Sequence, residues 1–143
     1  MVLDHDGIRR AMTAAWRRSE PNGPQAHEEG GFVVLGLDGT PVVIGWPRGL
    51  QNEIFVPAHR GGRIDNLPIL ATFHTHPNSG LAFRQEPSLT DIRAVRDDPD
   101  LSNPDYEGEY VISRSLVYRI LRTGDVIVVG ETQTILKLPE IEA

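Results

Sequence analysis

Ile69-Leu70-Ala71-Thr72-Phe73-His74-Thr75-His76-Pro77 is the stretch around which the rest of the chain can be ordered. It opens with a nearly continuous apolar run of strand length, the pattern of a strand buried on both faces at the centre of a sheet. Residues i and i+2 of an extended chain project to one face, so this strand delivers His74 and His76 side by side on a rigid element. Two imidazoles held in this way can grip a metal ion. Downstream, Ser88-Leu89-Thr90-Asp91 opens a helical pattern in which Asp91 offers a third ligand from the first turn. A fourth tetrahedral position is left for water, as an open catalytic zinc site requires. Ser88 stands one helical turn from Asp91 on the same side, with its hydroxyl available to a developing oxyanion. The same Ser-x-x-Asp spacing also reads as a capping box, in which Ser88 accepts from a backbone N–H and Asp91 reaches back to close the turn. Asp91 cannot cap and ligate with the same oxygen.

Such a site needs a base that is not itself a ligand, and a carboxylate from elsewhere in the chain is the expected source. Glu28 and Glu29, at the start of the apolar run Phe32-Val33-Val34-Leu35, are the upstream candidates. The bland reading of Glu29 is a solvated neighbour on the opposite face of the strand.

The order Glu, then His-x-His-Pro, then Ser-x-x-Asp resembles the JAMM (JAB/MPN-type) family of zinc metallopeptidases, many of which remove ubiquitin or ubiquitin-like proteins by cleaving at their C-terminal carbonyl. Glu28-Glu29-Gly30-Gly31-Phe32 fits the family's Glu followed three residues later by Gly and an apolar residue, with Glu28 in the first place. The resemblance implies His74, His76 and Asp91 as ligands of Zn2+, Glu28 as general acid/base and Ser88 as oxyanion stabiliser. It further implies hydrolysis of an amide or isopeptide bond in a ubiquitin-like protein or peptide substrate. The implied fold is α+β, a mixed central sheet flanked by helices of the cytidine-deaminase-like kind. Gly30 stands where many relatives carry a thiol or a larger residue, which is expected to widen the floor of the site. Three other classes stay open: a non-catalytic MPN-type scaffold, a processing enzyme for a small peptide or sulfur-carrier conjugate, and a component of a toxin or conflict system.

Composition bounds these readings. The 143 residues suit one domain, 1–143, with a sizeable core. A net charge of −6 opposes tight nucleic-acid binding, which depends on Lys and Arg neutralising phosphates. The absence of cysteine excludes disulfides, Cys-type zinc fingers and thiol catalysis, and also the zinc nucleobase deaminases, which need a Pro-Cys-x-x-Cys partner. No run approaches a membrane span and the first thirty residues lack a signal-peptide core, so an intracellular, cytoplasmic protein is expected.

The remaining segments fall into place around the central strand. Ile8, Met12, Ala15 and Trp16 recur at helical spacing, predicting an amphipathic helix over residues 4–18 that covers the sheet, capped by Asp4 or Asp6 and closed by Arg17 and Arg18. Residues 31–37 and 41–46 read as two antiparallel strands joined at Asp38-Gly39. Residues 47–68 read as loop with a short strand around Ile54-Phe55-Val56, and His59 as a surface residue in a Gly-rich turn. Residues 88–96 predict a helix with Ile92 and Val95 inward, stopped before Pro99. Residues 109–113, 116–122 and 125–129 predict three further strands, and residues 132–143 an edge strand or a docked tail. In the loop 78–87, Phe83 and Arg84 are candidates to hold a substrate tail or simply to pack and solvate the loop.

Overall fold

The computed structural model describes residues 1–79 and 85–137. Phe83, Arg84 and residues 138–143 lie outside the described residues, and with them the expectations for the substrate tail and the chain end. The elements run α1 (Asp6–Arg18), β1 (Gly30–Leu35), β2 (Pro41–Gly45), β3 (Arg63–Ile64), β4 (Leu67–Thr75), α2 (Leu89–Arg96), β5 (Glu109–Ile112), β6 (Leu116–Ile120), β7 (Val126–Glu131) and α3 (Thr132–Leu136). The result is an α+β domain built on a mixed seven-stranded sheet. Its order is β2-β1-β4-β5-β6-β7, with β3 hydrogen-bonded to β4. Among the described residues only the β4–β5 pair is parallel, as expected where α2 lies in the crossover between them.

The strand alternation divides the core in two. Val33, Ala71, Phe73, Tyr110, Ile112 and Val117 face Ile8, Met12, Ala15 and Trp16 of α1 and Leu136 of α3. Phe32, Val34, Ile69, Val111 and Ile120 face the other way, towards Val95 of α2, with Trp46, Leu101 and Tyr106. β4 is therefore buried on both faces, which is why its sequence is apolar without alternation.

Several local expectations are corrected. The N-cap of α1 is His5 rather than an aspartate; Asp4 pairs with the N-terminal ammonium and Asp6 with Arg9 inside the first turn. Residues 54–56 form no strand. The short strand is Arg63–Ile64, folded back on β4 through Asp65 and Asn66, both at positive φ, which is the two-residue hairpin chemistry. Thr132–Leu136 is a helix rather than an edge strand, because Thr132 Oγ1 ties its start to the Ser113 carbonyl and Ile135 and Leu136 pack on the α1 side of the core. Among the described residues, no helix is long and apolar enough to cross a membrane.

Candidate metal centre

His74 lies on β4 and His76 just past its end, where His76 N–H still donates to the Ile112 carbonyl of β5 at 2.8 Å. The extended backbone puts both rings on the α2 face of the sheet. Their Nε2 atoms lie 3.2 Å apart. Asp91 reaches them from the first turn of α2, with Oδ1 3.4 Å from His74 Nε2 and Oδ2 3.2 Å from His76 Nε2. These three side chains can together hold a metal ion, each offering one ligand atom within 4.8 Å of the others.

The capping box of α2 is fully formed as well. Ser88 Oγ accepts from Asp91 N–H at 3.1 Å, and Asp91 Oδ2 accepts from Ser88 N–H at 2.8 Å. The two readings of Ser-x-x-Asp thus coexist: Oδ2 closes the cap and Oδ1 is left for a cation. Ser88 Oγ, acting as acceptor in the cap, keeps its own proton to donate.

The far nitrogen of each ring is also held. His74 Nδ1 lies 2.8 Å from Glu109 Oε2, and His76 Nδ1–H donates to the Gln85 carbonyl at 3.1 Å. Both Nε2 atoms are thereby turned inward. Burial disfavours a charged His74, but Glu109 and Asp91 outweigh it from either side and hold its pKa well above the ordinary value. Burial also works against a charged Asp91. The hydrogen bonds from His74, His76 and the Ser88 backbone prevail, and its carboxyl stays far below the usual range. A proton between His74 and Asp91 and a divalent cation are therefore competitors for one place.

Glu28 and Glu29 separate by strand register. Gly30 is the Cα partner of His74, so Glu28, two residues earlier, shares the face of the imidazoles, while Glu29 points to the α1 side. The Glu28 main chain is pinned by N–H donation to the Leu50 carbonyl and by acceptance from Gly49 N–H. Its carboxylate has no hydrogen bond or ion pair among the described residues. Burial pushes its pKa up to about 7, with Asp91 and Glu109 adding to the rise and His74 and His76 opposing it. Glu29, by contrast, is not solvated. It is buried, with Oε1 3.2 Å from Arg18 Nε and Oε2 2.7 Å from His27 Nε2, and its N–H donates to Thr75 Oγ1.

Two further expectations are overturned. Gly30 does not widen the site, because a Cβ there would come within 2.5 Å of both the Phe73 carbonyl and Trp46 Cε3. The missing side chain admits the buried Trp46 indole, which packs edge-on against Phe32. His59 is not a loosely held surface residue. Its Nδ1–H donates to the Pro57 carbonyl and its Nε2 lies 2.6 Å from Asp98, tying the loop to the turn after α2. No local pattern marks Glu109, the first residue of β5; the parallel β4–β5 pairing is what brings it beneath His74.

No protein-family model and no curated protein matches the chain.

Proposed function

We propose that the chain is a zinc-dependent hydrolase of the JAMM (JAB/MPN) type that cleaves an amide or isopeptide bond, with the C-terminus of a ubiquitin-like protein or a peptide conjugate as the substrate class. The α+β sheet is compatible with the cytidine-deaminase-like architecture this resemblance implies. The donor spacing supports zinc: ligands at about 2.0 to 2.1 Å in a tetrahedron stand roughly 3.3 to 3.4 Å apart. Here the two Nε2 atoms lie 3.2 Å apart, with Asp91 Oδ1 3.4 Å from that of His74 and Asp91 Oδ2 3.2 Å from that of His76. His74, His76 and Asp91 Oδ1 would hold the ion. Zinc there would supply Lewis acidity, polarising a carbonyl and lowering the pKa of a water towards about 7.

The observation that carries the hydrolase reading is Glu28. A carboxylate buried on the face of His74, His76 and Asp91, with no hydrogen bond or ion pair among the described residues and with its pKa raised by burial in the metal-free chain, is placed to move protons. Glu28 takes a proton from the attacking water at its carboxylate and returns it to the leaving nitrogen. Ser88 Oγ–H donates to the substrate oxygen as negative charge builds there. Asp91 Oδ2, held on Ser88 N–H, keeps the ligand oxygen aimed inward.

Protein purified without a His tag should carry about one zinc per chain, measured by elemental analysis. Glu28→Gln should keep that zinc and lose hydrolysis of a ubiquitin-like C-terminal amide by at least about a hundredfold. Glu29→Gln should leave turnover per folded molecule nearly unchanged. The reverse pattern would move the base to Glu29, and failure of the wild type to take up zinc would end the reading.

A further inference from the structure

Beneath the metal cluster lies a carboxylate that the proposed mechanism does not use. Glu109 opens β5 and is the parallel partner of Thr72, whose side chain lies on the same face of β4 as His74. This register places Glu109 Oε2 2.8 Å from His74 Nδ1. The carboxylate is buried, at 7% exposure, and His74 is the one side chain it pairs with among the described residues. Burying a carboxylate is costly unless its partners compensate. A single bond to the back of an imidazole is poor compensation for a role in packing alone.

The second histidine provides a comparison within the same site. His76 Nδ1–H is held by a neutral backbone carbonyl, that of Gln85, whereas His74 is backed by the carboxylate group of Glu109. We infer that Glu109 is a positioning residue for the metal centre. It fixes the ring of His74 so that Nε2 faces Asp91 and His76, and it makes that nitrogen the stronger donor of the pair. Outer carboxylates of this kind orient the ligand ring and raise its basicity, and their loss weakens metal binding by about 10- to 100-fold. The inference rests on the zinc reading above and adds to it a residue outside the resemblance.

The test uses full-length protein and zinc itself, with affinity measured by competition against a chromophoric chelator. Glu109→Gln keeps an oxygen that can accept from Nδ1–H but removes the charge, and should weaken zinc about 10- to 100-fold. Glu109→Leu removes both acceptor and charge and should weaken it further. Glu107→Gln serves as the control, since that carboxylate accepts from Val2 N–H and Tyr110 Oη–H, away from the imidazoles. Its affinity should match the wild type. Nitrogen-15 NMR of the zinc-loaded wild type should show His74 bound through Nε2 with a protected Nδ1–H, a signal that Glu109→Leu should lose. If Glu109→Leu does not fold, Glu109→Gln still decides. Wild-type affinity in Glu109→Gln overturns the inference and leaves the zinc reading standing; no zinc bound by the wild type overturns both.

Discussion

Glu28 illustrates how a side chain suited to chemistry burdens the fold. Its pKa moves from the ordinary 4.5 to about 7 because the carboxyl is buried, so the folded chain binds this proton more tightly than the unfolded chain. The sign follows directly: the contribution is fully present below about pH 4.5 and is lost as the pH rises through about 7. A shift of this size corresponds to roughly 3 kcal/mol. Metal-free Glu28→Gln should therefore match the wild type in stability near pH 4 and exceed it by up to about 3 kcal/mol at pH 8. Urea unfolding of both proteins at the two pH values, with chelator present, is the measurement. An unchanged difference between them would mean that Glu28 is not the strained carboxylate described here. Gly30 makes the complementary point through what it leaves out: the indole of Trp46 occupies the space any Cβ would need.

In α2 one short sequence serves two ends. The capping box closes an eight-residue helix, and the same turn carries Asp91 to the imidazoles. Ser88→Ala removes the cap acceptor and should cost about 0.5 to 2 kcal/mol with or without metal. Under the proposed mechanism it should also lower turnover by about a hundredfold or more at unchanged zinc content. Asp91→Asn keeps an oxygen for the Ser88 N–H but loses the charge that faces the cation. The helix cap is kept, but metal-free melting should fall near neutral pH, because the charge paired with His74 and His76 is lost, and zinc binding should fall as well. Melting curves of both variants with and without zinc separate the effects, and full zinc affinity in Asp91→Asn would reduce the tetrapeptide to a helix cap. The β4 strand divides its labour in a similar way, with Phe73 and Thr75 turned to α1 while His74 and His76 face α2.

The sheet acts as a partition through the molecule. On one side, α1 and α3 close a core that contains none of His74, His76 and Asp91; on the other, α2 packs through Val95 and carries Asp91. Defects in the two layers should therefore have different consequences. Met12→Ala, in the fully buried stripe of α1, should cost about 2 to 5 kcal/mol and leave the zinc affinity of the folded protein within about twofold. Val95→Ala should cost about 1 to 3 kcal/mol and weaken zinc as well, because it loosens the helix that positions Asp91. Calorimetry paired with chelator competition tests the contrast. Equal loss of affinity in both variants would show that the layers are not separable.

Much of this architecture was legible from neighbouring residues alone. The i, i+2 spacing of His74 and His76, the helical stripe of α1, the Asp38-Gly39 hairpin and the capping signature of α2 are local patterns, governed by backbone geometry over a few residues. They point to the α+β class, which the fold has, and to His74, His76 and Asp91, which the fold brings together. Partners across the sheet depend on register and crossover, which periodicity does not encode. The Gly30–His74 pairing separates Glu28 from Glu29. The parallel β4–β5 pairing puts Glu109 behind His74, and chain closure sets Asp98 against His59 and Trp46 over Gly30. A side chain's own periodicity tells which way it points; what it meets there is settled by the packing of segments far away in the chain.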